Sequence, residues 1–155
     1  MEKEQAAAAV RAFLAALDVD VRARGMERTP ERVAEMYAYL FGGLGRDAAA
    51  VLGATFETGT TGLVAVQRIP FSSLCEHHLV PFYGFMDLVY QPHAGRVAGF
   101  SRFVEAVDVL ARRPQLQERL TRGMYFVELR IRCTMQRCTT TFGKMDFAPS
   151  SRPLG

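Results

Sequence analysis

The spacing of the apolar residues changes at Leu63, and that change decides which class of fold is open to this chain. Before it, Val10, Phe13, Leu14 and Leu17 recur at i, i+3, i+4 and i+7, which predicts a helix over residues 4–17 with those four on one face. R-T-P-E-R-V-A-E-M-Y-A-Y-L-F-G-G predicts a second helix. Thr29 is its expected N-cap, Pro30 its first helical residue, and Val33, Met36, Tyr37 and Leu40 its apolar stripe. Gly42 and Gly43 stop it, and a loose segment rich in Gly, Ala and Thr runs on to Gly62.

After Leu63 the pattern is that of strands. L-V-A-V-Q-R-I-P-F reads as one, with Pro70 marking an edge or an end, and F-Y-G-F-M-D-L-V-Y-Q as the next, closed by a turn holding His93. Ser101 caps a helix running to Arg113, with Val104, Val107, Leu110 and Ala111 inward. Pro114 opens a short helix that Gly123 ends. Tyr125, Val127, Leu129, Ile131 and Cys133 alternate with Phe126, Glu128, Arg130 and Arg132, which predicts a half-buried strand. A last strand is expected over about Thr139 to Phe147, and the tail beyond Pro149 reads as disordered. The class is therefore α+β in a single domain, 1–155. A helical part (1–62) precedes an antiparallel four-stranded sheet with two helices on one face (63–148) and a tail (149–155). Four strands leave open edges, which invite sheet extension between subunits.

Several function classes drop out. No apolar run reaches the roughly 20 residues of a membrane span, and the charged start M-E-K-E-Q does not read as a secretory signal. Three cysteines make no disulfide framework, so a reducing, cytoplasmic setting with free thiols is expected. A net charge of +3 suits an anionic small molecule, and no basic stripe interleaved with aromatics points to nucleic acid.

S-S-L-C-E-H-H-L-V-P-F concentrates one of the three cysteines and two of the three histidines between two strands. Cys75 and His78 have a C-x-x-H spacing that lets one turn present a thiolate and an imidazole to the same ion. The bland alternative is a packed thiol and two histidines capping a turn, and spacing alone leaves both open. A catalytic zinc needs a third protein ligand and an open position. Cys133, inward at the end of its expected strand, is the best candidate, with Cys138 behind it.

S-L-C-E-H-H-L-V-P-F-Y-G, V-A-G-F-S-R and A-R-R-P-Q-L-Q-E-R-L-T, with R-T-P-E-R-V-A-E-M-Y and A-T-F-E upstream, resemble GTP cyclohydrolase I from roughly Val19 to Arg122. The resemblance implies a tunnelling fold, ββααββ, in a homo-oligomer of rings stacked face to face, decamer-like. It also implies Zn2+ as cofactor and the conversion of GTP and water to 7,8-dihydroneopterin triphosphate and formate, the first step towards tetrahydrofolate and pterins. Carried over by position, Cys75 and His78 are zinc ligands with Cys133 as the third, and His77 is the proton-transfer residue. Glu118, with Gln117 beside it, meets the guanine edge; Ser101 and Arg102 meet the triphosphate and sugar; Arg137 falls on a family arginine. Arg28 could add charge from a neighbouring subunit, although a plain surface arginine is the simpler reading.

Three departures stand out. Glu105 occupies a position where the family has arginine, and Gly123 falls where the family's helix continues. Ile131 takes the place of a family histidine two residues before the strand cysteine. They raise two alternatives: a diverged enzyme that stops at a ring-opened product, or a catalytically silent subunit that binds GTP and zinc.

Overall fold

A computed structural model describes residues 2–53, 55–59, 61–93, 95–131 and 134–142; for 125–131 and 134–142 it describes the course of the backbone. Helices α1 (Lys3–Ala16), α2 (Thr29–Leu40) and α3 (Ala48–Leu52) lead into strands β1 (Thr55–Glu57), β2 (Val64–Cys75), β3 (Pro81–Gln91) and β4 (Arg96–Ala98). Then come α4 (Phe100–Ala111), β5 (Pro114–Gln115), α5 (Gln117–Ile131) and β6 (Thr134–Phe142). No helix among the described residues is long and apolar enough to cross a membrane.

The main sheet has the order β5-β2-β3-β6, antiparallel except that β5 runs parallel to β2. Strict alternation puts Gly84, Met86, Leu88 and Tyr90 of β3 on the buried face, while Tyr83 and Phe85 stay exposed on the other. α4 covers the buried face with Phe103, Ala106, Val107 and Leu110, and Tyr90 meets Phe103 with ring centroids 4.9 Å apart. Leu52, Leu120 and Met124 complete the same core from α3 and α5. β1 and β4 pair separately as a two-stranded ribbon.

Several expectations need correction. The stripe of α1 does not face a core: Phe13 and Leu17 are exposed. α1 instead packs on α2, where Ala7 and Ala34 are the buried residues and small side chains permit close approach. Thr29 is the first helical residue of α2 with Arg28 at the cap position, and on α4 Gly99 takes that position, leaving Ser101 within the first turn. Pro114 starts a two-residue strand, not a helix.

The largest correction concerns α5. It does not end at Gly123 but continues to Ile131, so the expected strand over Tyr125–Cys133 is helical up to that point. Leu120, Met124, Val127 and Ile131 are spaced 4, 3 and 4 apart, so the segment satisfies the helical period as well as the alternating one. Glycine inside a helix costs roughly 0.5–1 kcal/mol relative to alanine, which the burial of Leu120 and Met124 on either side outweighs. Among the described residues a single strand follows α5, so the ββααββ order is described only in part. That strand, β6, starts five residues before the expected Thr139. Cys133, residues 143–148 and the tail lie outside the described residues.

Pro70 lies in the middle of β2, not at its end. β5 meets β2 only at Leu74 and Cys75, so beside Pro70 the strand pairs with β3 alone among the described residues. A proline is tolerated on such an open edge. β2 also carries a bulge between Val66 and Ile69, where Arg68 adopts φ +55° and its N–H donates to Asp87 Oδ1 at 2.5 Å.

Gly43 joins α2 to the C-terminal end of α4. It is buried, and its N–H donates to the Arg112 carbonyl at 2.8 Å. A Cβ there would stand 2.1 Å from the Val109 carbonyl oxygen and 2.8 Å from that of Arg112, both backbone atoms. Gly43→Ala should therefore destabilise the fold by about 3 kcal/mol, lowering Tm by roughly 6–12 °C. Gly62→Ala, which meets nothing within 4 Å, is the control in thermal unfolding and should leave Tm within a degree or so of the parent.

Candidate metal centre

β2 and β3 are joined by the turn Glu76–Val80, and the strand that enters it ends on Cys75. The turn closes on itself through Cys75 N–H to the Val80 carbonyl (2.9 Å) and Leu79 N–H to the Cys75 carbonyl (2.8 Å). Leu79 takes φ +54°, a left-handed conformation uncommon for a branched side chain. Its own carbonyl accepts from the Tyr37 hydroxyl at 2.9 Å, so α2 holds the strained residue in place.

Two other elements grip the same turn. Glu76 N–H donates to the Gln115 carbonyl of β5 at 3.3 Å, and beneath it the buried Ser73 hydroxyl donates to the Ala111 carbonyl at 2.7 Å. The Arg119 guanidinium of α5 donates to both oxygens of the Glu76 carboxylate, one of them at 3.2 Å. Those hydrogen bonds, helped by the attraction of Arg119 and His77 and opposed by partial desolvation, hold the Glu76 carboxyl below its usual range. The same pairing raises Arg119. Because the Glu76 pKa is depressed, the charged pair is fully formed above the ordinary carboxylate range and is lost only as the pH falls through the depressed value.

The turn directs Cys75 and His78 at one another: Cys75 Sγ lies 3.8 Å from His78 Nδ1. Zinc–sulfur and zinc–nitrogen bonds of about 2.3 and 2.0–2.1 Å, set at the tetrahedral angle, would separate the two donors by about 3.6 Å. The pair is thus spaced to share one soft divalent ion. The His77 ring stands at 82° to that of His78 with centroids 6.2 Å apart; it is exposed, and its Nε2 is 3.9 Å from Glu76 Oε1. His77 therefore sits beside the donor pair without belonging to it.

The remaining expected site residues fall on separate elements. Ser101 and Arg102 are exposed in the first turn of α4, and Gln117 and Glu118 are exposed in the first turn of α5. Arg137 and Cys138 lie on β6 in register with Val89 and Leu88 of β3. Arg28 is exposed at the start of α2. Cys133 is outside the described residues, and among those described no group of three His, Cys, Asp or Glu could hold a metal.

Sequence reasoning missed Glu76, Arg119 and Tyr37, the residues that fix the turn. Glu76 and Arg119 are 43 positions apart and Tyr37 and Leu79 are 42, so no local spacing announces either contact. The one available signal was a carboxylate inside a cysteine–histidine motif, which needs a cation if it is not to compete for the metal.

A family model described as GTP cyclohydrolase I matches residues 6–129, past Arg122 and into the second half of α5. The GTP cyclohydrolase 1 of Streptococcus pyogenes serotype M5 (strain Manfredo) is 48% identical over 121 residues, covering 78% of this chain and 62% of that protein. That of Lysinibacillus sphaericus (strain C3-41) is 50% identical over 113 residues, covering 73% of this chain and 60% of its own length. The chain spans about three fifths of the length of these curated relatives.

Proposed function

We propose, given that the chain belongs to the GTP cyclohydrolase I family, that it hydrolyses and rearranges GTP to 7,8-dihydroneopterin triphosphate and formate. The observation that carries this reading is the Cys75–His78 donor pair, spaced for one ion on a turn clamped by α2, β5 and α5.

Cys75 and His78 would hold zinc, with Cys133 as the third ligand. When bound, the ion supplies the Lewis acidity that makes a nucleophile of water near neutral pH. His77, exposed beside the pair, moves protons: towards the purine nitrogen when the C8–N9 bond of the imidazole ring opens, and again as formate leaves. Glu118 accepts hydrogen bonds from the guanine edge, with Gln117 next to it. The Arg119–Glu76 pair ties that first turn of α5 to the turn carrying the metal ligands, so the base and the reacting carbon are positioned by one rigid unit. Ser101, Arg102 and the α4 amides take the triphosphate, and Arg137 adds charge from β6. The protein works as a homo-oligomer in a reducing, cytoplasmic setting. Among the described residues, the one-sided pairing of most of β2 and the exposure of Tyr83 and Phe85 support assembly.

Incubation of the purified protein with GTP and zinc tests the reading. The expected products are stoichiometric formate and a pterin that becomes fluorescent on oxidation. A formamidopyrimidine that accumulates without formate would mean an enzyme halted after ring opening. GTP bound but unchanged would mean a silent subunit.

A further inference from the structure

Glu105, in the second turn of α4, bridges two guanidinium groups at once. Arg46 Nη2 lies 3.3 Å from its Oε1 and Arg102 Nη1 lies 3.2 Å from its Oε2. All three side chains are about half exposed. Arg46 comes from the segment between α2 and α3, and its backbone is fixed: its carbonyl accepts from Arg113 Nη2 at 2.9 Å, and its N–H donates to the Gly43 carbonyl at 3.3 Å. Gly99 caps α4 without a side-chain acceptor, and the first turn holds no acidic residue.

Two forked cations converging on one point beside the start of a helix is the geometry proteins use to bind phosphate oxygens. Here the negative group is supplied by the chain itself. We infer that Glu105 is a built-in counter-anion of a polyphosphate site formed by Arg46, Arg102 and the first turn of α4, and that it must be displaced before a phosphate chain can bind. This rests on the reading that the start of α4 receives the triphosphate, and adds Arg46 as a second cation and Glu105 as the residue that sets affinity. A single phosphate offers too little charge to separate Glu105 from both arginines, whereas a chain of three can engage each. The site therefore selects for chain length at the expense of affinity.

Calorimetric binding of inorganic tripolyphosphate at low ionic strength tests this on the full chain. Glu105→Gln should bind roughly tenfold more tightly than the parent, from removal of one opposing charge at contact range. The gain should shrink as salt is added. Arg46→Ala in the Glu105→Gln background should remove most of it. Equal affinity of Glu105→Gln and the parent overturns the inference, as does an absence of binding in both. Arg102→Ala separates the two readings. If it binds as the parent does, the assignment of the triphosphate to α4 fails. If it binds more weakly while Glu105→Gln is unchanged, only the role of Glu105 fails.

Discussion

Cys75→Ser is expected to strip the protein of zinc and of GTP turnover together while leaving the fold intact. A hydroxyl is a far poorer ligand for zinc than a thiolate, and it replaces one of two donors that already face each other across 3.8 Å. Changing residues that merely orient a ligand typically costs about 10–100-fold in metal affinity, so removing the ligand should cost at least about a hundredfold. The turn should persist, because its closure relies on the backbone of Cys75 and on Tyr37, Gln115 and Arg119, none of which the substitution touches. Metal content by atomic absorption, GTP turnover and Tm should be measured on the same preparation. Full zinc occupancy in the variant would remove Cys75 from the centre. Loss of turnover with a collapsed Tm would make its role one of folding.

His77→Ala separates proton transfer from metal binding. His77 lies on the same turn but directs Nε2 towards Glu76, 3.9 Å away, rather than into the donor pair. Zinc content should therefore stay at the parent level while kcat falls by about 10²–10⁴, the usual worth of a positioned acid or base. Product analysis sharpens the test. If His77 serves both hydrolytic steps, ring-opened material and formate should decline together. If it serves the second alone, formamidopyrimidine should build up. Parent-level turnover in the zinc-loaded variant would exclude His77 from the chemistry.

What the sequence disclosed depended on how local the cause was. The Cys75–His78 spacing was legible because three residues of turn suffice to create it, β3 because its alternation runs over 11 residues, and β2 as far as Phe71 from its apolar, β-branched run, although the bulge between Val66 and Ile69 interrupts its alternation. α3, β1 and β4 were hidden: each has five residues or fewer, and β1 and β4 exist only because Thr55–Glu57 finds Arg96–Ala98 some 40 positions away. Tyr125–Ile131 was misread for another reason. Its apolar residues fit both periods, and the choice was made by the helix already running from Gln117. The partners of Glu76 and Leu79 could not be read at all, since nothing in a motif says which distant side chain will hold it.

That last point limits how far the motif can travel. The segment around Cys75 owes its shape to a tyrosine on one helix, an arginine on another and a two-residue strand between. Grafted onto a foreign hairpin, the same letters would arrive as a floppy peptide, free to wander among conformations that keep sulfur and imidazole apart. A designer wishing to borrow this chemistry would have to carry the scaffold along with the turn.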